Sequence, residues 1–170
     1  MKNWCRRVGG LSVVGALLVV AGSSSTAGAA ARAVPRPSAR EAAHCRALHA
    51  ALPTAVAGLE RRASRPASEF TAQWGEPAVF LRCGVPHPEV LMVGSRSYDR
   101  YAAAWDIGGI AWFPEQQEDG GVRFLATHRA AWVEVTLPKE YTGGAGEVDG
   151  PGVLAALAAA VAKTIPEGYV

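Results

Sequence analysis

The sequence predicts an α+β domain: a mainly antiparallel sheet of about four to five strands, packed against N-terminal and C-terminal helices and held by one disulfide. Three observations carry this expectation. Helical apolar spacing is confined to the two ends, at Cys45, Leu48 and Leu52 and again at Leu154, Leu157, Val161 and Ile165. Between them the apolar residues come in short runs bounded by Pro and Gly. One cysteine lies in the first helical pattern and one at the end of a strand-like run, at Cys45 and Cys83.

Residues 1–29 read as a secretory signal peptide. Lys2, Arg6 and Arg7 form a basic start, Val8 to Ala21 an apolar core, and Ala27-Gly28-Ala29 a small-residue cleavage site. The core is shorter than the roughly 20 apolar residues of a membrane span, so the mature domain is expected not to cross a membrane; an uncleaved N-terminal anchor is the alternative. Cys5 precedes the apolar core, so the arrangement does not make a lipobox. Arg6-Arg7 is a twin arginine, yet its flanks, Cys5 before and Gly9-Gly10 after, fit an ordinary secretory signal better than folded export. The expected location is secreted or extracytoplasmic.

Loss of this segment changes the charge balance. It removes three basic residues and no acidic one, which takes the chain from 17 basic against 15 acidic to 14 against 15. The basicity of the whole chain therefore belongs to the leader, and nothing in the remainder recommends a nucleic-acid partner. The remaining chain of about 140 residues suits a single domain with one core.

Residues 30–37, with Arg32, Pro35, Arg36 and Pro37, have no periodic pattern and read as a linker; the domain proper spans 38–170. Ser38 and Glu41 have the spacing of a capping box, so a helix is expected to start there. Pro53 should end or kink it, and a second helical turn through Val56 and Leu59 is expected to finish in the basic run Arg61, Arg62 and Arg65. Strands are expected at Ala78 to Cys83, Val90 to Val93, Ile107 to Phe113, Val122 to Thr127 and Trp132 to Leu137. The third and fourth flank a polar loop containing Asp119-Gly120, the pattern of a long-looped hairpin. The last alternates, with Val133, Val135 and Leu137 on one face and Trp132, Glu134 and Thr136 on the other. After a glycine-rich loop from Gly143 to Gly150, the final helix starts near Pro151 and runs to Pro166.

Two cysteines remain once the leader is gone, and in an oxidising compartment an isolated pair is most simply a disulfide. Closing a loop of about 38 residues is worth roughly 3.9 kcal/mol in the chain-entropy model. Arg82 stands inside an apolar run, so it either snorkels to an edge or pairs with a buried carboxylate, and the structural pairing is the expectation.

The patterns that could carry chemistry are weak. Cys45 and His49 share a helix face, with His44 beside them and Cys83 and His87 as further ligand types, but a disulfide would remove both thiolates, so no metal site is assigned. Gly94-Ser95-Arg96-Ser97 does not have the spacing of a nucleophile elbow. Cys83-Gly84-Val85-Pro86 lacks the second thiol of a redox motif, and the glycines of 144–150 miss the spacing of a phosphate loop. Neither a cofactor nor a catalytic residue is assigned.

A longer order of residues is more specific. Cys45 comes shortly before Leu52-Pro53; then follow Arg61-Arg62, Trp-Gly-x-Pro from Trp74 to Pro77, and Leu-Arg-Cys-Gly-Val-Pro-x-Pro from Leu81 to Pro88. Ala111-Trp112, a Trp-Val-Glu-Val-Thr-Leu-Pro strand from Trp132 to Pro138 and a leucine-rich final helix complete the order. This resembles the actinobacterial domain of unknown function 3515 family, exported or membrane-tethered proteins without assigned activity. The resemblance covers nearly all of the mature chain. It implies an extracytoplasmic location and the pairing of Cys45 with Cys83, and it brings no catalytic residues.

The expected function is therefore that of a secreted, non-catalytic domain binding a cell-envelope protein or peptide. Its contact rim is expected at the Trp74 turn and the Gly84 to Pro88 turn, with Trp74, Pro86, His87 and Trp132 as contacts. The alternative is a small extracytoplasmic hydrolase using His87 or His128.

Overall fold

The computed structural model describes residues 33–142 and 149–168; the expected signal peptide, the first three residues of the expected linker and most of the glycine-rich loop lie outside them. Helix α1, Ala39–Ala51, opens on the expected capping box. Ser38 N donates to Glu41 Oε2 at 2.8 Å, and Glu41 N donates to Ser38 Oγ at 3.4 Å. Its buried stripe is Ala42, Cys45 and Leu48, and it stops where Leu52, ahead of Pro53, turns extended. Helix α2, Gly150–Thr164, has Asp149 at its N-cap, accepting from Gly152 N, and Pro151 in its first turn. Val153, Leu154, Leu157, Ala158 and Val161 are buried along one side. The two helices pack against each other.

Eight strands, not four to five, form one antiparallel sheet. They are β1 Ala55–Val56, β2 Leu59–Arg62, β3 Thr71–Trp74, β4 Val79–Cys83, β5 Trp105–Ile107, β6 Ile110–Gln116, β7 Val122–Ala126 and β8 Val133–Leu137, in the order β1-β2-β3-β4-β8-β7-β6-β5. The α+β class and the antiparallel sheet are as expected, and each difference has a local cause. The expected helical turn through Val56 and Leu59 is instead the β1–β2 hairpin. Ala57 and Gly58, at φ 45° and 81°, form a two-residue turn with both centres left-handed, and Val56 pairs with Leu59 across it. Strand β3 has too few apolar residues to stand out alone; it is ordered by the Thr71 to Trp74 register against β4. The expected single strand from Ile107 to Phe113 is a hairpin broken at Gly108-Gly109, both with positive φ. The expected strand Val90 to Val93 does not form: Glu89–Leu91 is a single 3-10 turn in a loop.

The alternation read for the last strand holds, and it divides the sheet into two faces. On one face Trp74, Val79, Leu81, Phe124, Val133, Val135, Leu137, Ile110 and Trp112 join the buried sides of both helices in the main core. Cys45 and Cys83 close a disulfide there, with Cα atoms 5.5 Å apart. Arg61 reaches from β2 to the C-terminal carbonyls of α1, donating to the oxygens of His49 and Leu52 at 3.4 Å. The cation thus meets a helix C-terminus through space rather than along its own helix.

The opposite face carries a ladder of charge. Arg82 donates to both oxygens of Glu134 at 2.8 Å, Arg123 lies 3.7 Å from the same carboxylate, and Glu115 accepts from Arg123 at 2.9 Å. Arg82 therefore does pair with a buried carboxylate. It also holds the entering chain, donating to Ala33 O at 3.2 Å. Beside the ladder a smaller apolar cluster forms from Val85, Phe113, Leu125 and Trp132, with Val90, Leu91 and Ala102 against it.

Candidate functional site

Phe113 and Trp132 of the smaller cluster form the floor of an open cavity of about 610 Å³, a volume in the range of small-ligand and side-chain pockets. Three segments build its walls. The first is the turn after β4, where Pro86-His87-Pro88 carries the His87 ring onto Trp132, with centroids 4.1 Å apart and planes tilted by 35°. The second is the loop between β4 and β5, which contributes Leu91, Met92, Val93, Tyr98, Asp99 and Arg100. The third is the β7–β8 connection, where Thr127 and His128 face the cavity beside Gly168 of the C-terminal segment.

The loop between β4 and β5 holds its shape by bonding to itself. Leu91 N donates to Pro88 O and Met92 N to Glu89 O, both at 3.0 Å, and Asp99 N donates to Val90 O at 2.9 Å. These bonds tie the loop to itself, and it presents apolar side chains to the outside: Val93 is 85% exposed and Met92 46%. On the other wall His128 has φ 56°. Its carbonyl accepts from Gly168 N at 3.2 Å, while Ala130 N donates to Pro166 O at 3.0 Å, so the C-terminal segment lies along residues 128–130. Arg129 fixes that contact from within, donating to Ile165 O and Gly109 O.

The cavity is lined by charged as well as apolar groups, Asp99 and Arg100 among them. Burial lowers the pKa of His87 from its ordinary value, partly opposed by the carboxylate of Glu41, so its ring is neutral at pH 7. Thr127 Oγ1 stands 3.5 Å from His128 Nδ1 and donates to Ala111 O at 3.1 Å, which commits its proton to the backbone. Asp99 accepts from Tyr101 N at 2.8 Å.

Of the residues expected to make the contact rim, His87 and Trp132 meet in this cavity. Trp132 lies on the face opposite the main core, as its place in the alternation implies. His128, named for the hydrolase alternative, lines the same cavity. Pro86 lies nearby, at a shallower depression with Val85, Gly84 and Arg82. Trp74 is not part of any rim. It is fully buried on the helix side of the sheet, its indole N–H donating to Pro53 O at 3.1 Å. Cys45 and Cys83 spend both sulfurs on each other.

Sequence reasoning missed Phe113, Leu91, Met92, Tyr98 and Arg100. The available signal was the Gly94-Ser95-Arg96-Ser97 run, whose turn-forming residues mark 89–104 as a loop able to carry apolar side chains over a sheet face.

A family model described as protein of unknown function (DUF3515) matches residues 8–170. The chain belongs to this family. No curated protein and no solved structure matches it. DUF3515 membership covers every segment that builds the cavity, and the family carries no assigned activity.

Proposed function

We propose that this DUF3515 domain works outside the cytoplasm as a non-catalytic binding module, taking an apolar side chain of a cell-envelope protein or peptide into the cavity over Trp132. The observation that carries the reading is the His87–Trp132 stack under a rim of exposed Met92 and Val93. An aromatic floor under outward apolar residues is suited to burying a partner side chain, with Asp99, Arg100 and His128 on the walls to orient it. The disulfide is compatible with an oxidising compartment. Among the described residues no helix is long and apolar enough to cross a membrane.

A photo-crosslinking amino acid placed at Val93 tests this in intact cells, with Lys163 on the exposed side of α2 as the control position. The expected result is one discrete adduct from Val93, absent from Lys163 and lost on Met92→Glu. Equal labelling from both positions would remove the support for a site here.

A second reading, the small extracytoplasmic hydrolase, draws on the fact that His87, His128 and Asp99 line one cavity. His87→Phe and His128→Phe keep a ring and remove proton transfer. Complementation of a deletion phenotype by both variants favours binding, and its loss with retained folding favours the enzyme.

A further inference from the structure

The sheet ends at β5, and the backbone of that strand is open on its outer side. The β5–β6 hairpin has a two-residue turn, so the flanking pair Ile107 and Ile110 is the hydrogen-bonded one and Asp106 with Ala111 is not. Ala111 accordingly turns its carbonyl to the other neighbour, accepting from Thr127 N at 2.8 Å. By the same alternation Asp106 turns its N–H and C=O away from the sheet, and Ala104 lies one residue before β5 on the same edge. No backbone bond from outside the hairpin reaches Ala104 or Asp106 among the described residues. Ala104 also lines the cavity, together with Ala102 and with Phe113, which is two residues from Ala111 on the same sheet face.

We infer that the partner enters as an extended strand on the free edge of β5, bonded to the backbone of Ala104 and Asp106, and places one bulky apolar side chain in the cavity and a Lys or Arg two residues away against Asp106. This rests on the cavity being the partner site. Residues two apart on an added strand point to the same face, so a segment paired with Ala104 and Asp106 presents both side chains to the cavity side. Charge selects the occupant. Asp106 is exposed and, among the described residues, forms no ion pair; its Oδ1 accepts only from Gly109 N at 3.2 Å. A second copy paired symmetrically about Asp106 would set two carboxylates opposite each other, which is unfavourable, whereas a cation there is favourable.

The probe is a fluorescein-labelled octapeptide, blocked at both ends, with Trp and Lys two residues apart in a Ser/Thr background, made in both orders. In anisotropy titrations one order should bind about two- to fivefold tighter than its Lys→Glu version. Asp106→Lys should invert that preference and Asp106→Asn, which retains an acceptor for Gly109, should abolish it. N-methylation of the amide facing β5 should weaken binding more than tenfold, while N-methylation one residue along should not. Binding that needs the peptide Trp and Met92 yet ignores N-methylation and the Asp106 variants overturns strand addition and leaves the cavity site standing. Binding by neither order, or concentration-dependent dimerisation that Asp106→Asn strengthens, overturns the inference as well.

Discussion

At the scale of single residues, the decisive placements are those of Glu134, His87 and Trp74. Glu134 is 2% exposed and is tolerated on the sheet because Arg82 donates to both its oxygens and Arg123 stands close. Truncating one member of such a pair strands the other charge, so Glu134→Ala should lower unfolding stability by about 3–5 kcal/mol. The double change Arg82→Met with Glu134→Leu should cost much less, as urea titrations of the three proteins would show. His87 makes stability depend on pH. Its pKa is lowered on folding by burial, and that of His49 is lowered too, by burial first and then by the Arg61 guanidinium. Between the folded values and the ordinary 6.5 the unfolded chain binds more protons, so this stability is complete above about pH 6.5 and is lost as pH falls below it. The melting temperature should therefore drop from pH 7 toward pH 5, and more shallowly in His87→Phe. A slope unchanged by that substitution would show that His87 does not contribute. That Arg82 pairs with a buried carboxylate was legible in the sequence, although not which one. Trp74 was not, because a tryptophan before a Gly-Pro turn looks the same whether it points to solvent or into a core.

At the scale of elements, the hairpins were the least legible feature, and the reason is their length. Strands β1 and β5 have two and three residues, too few for alternation to be recognised. What specifies them is the turn between strands. In the β5–β6 hairpin, Gly108 and Gly109 have φ 65° and 76°, yet their surroundings differ. A Cβ on Gly108 would lie 2.6 Å from Ala158 Cβ on α2, and one on Gly109 would meet nothing within 4 Å. Gly109→Ala should cost about 1–2 kcal/mol from the left-handed backbone alone. Gly108→Ala should cost clearly more, because α2 must also give way. Equal thermal shifts for the two would contradict the packing of α2 on this turn. The helices, by contrast, announced themselves through caps and stripes that depend only on residues within two turns of each other.

At the scale of the whole molecule, the disulfide ties α1 to the end of β4 across the main core. Cys45 and Cys83 are at most 1% exposed, so reductant should reach the bond only when the domain opens. Maleimide labelling after reductant treatment should be absent in buffer and complete in denaturant; rapid labelling of the native protein would contradict this placement. Replacing both cysteines by Ala should remove about 4 kcal/mol by the chain-entropy model. The order of the sheet had no comparable signal. Strands β4 and β8 are neighbours although some fifty residues separate Arg82 from Glu134, and the cavity exists because β8 brings Trp132 under the turn that carries His87.

The sequence by itself determined the α+β class, the capped helices at each end, the two-faced last strand, the cysteine pair and the family. Each of these follows from residues near one another or from an order of motifs along the chain. Only the tertiary structure decided which tryptophan is core and which is floor, that eight strands share one sheet, and that His87, Trp132 and His128 surround one cavity. Those facts depend on strand order and side-chain direction, which arise from burying apolar surface between segments far apart in the chain, and no local pattern encodes them.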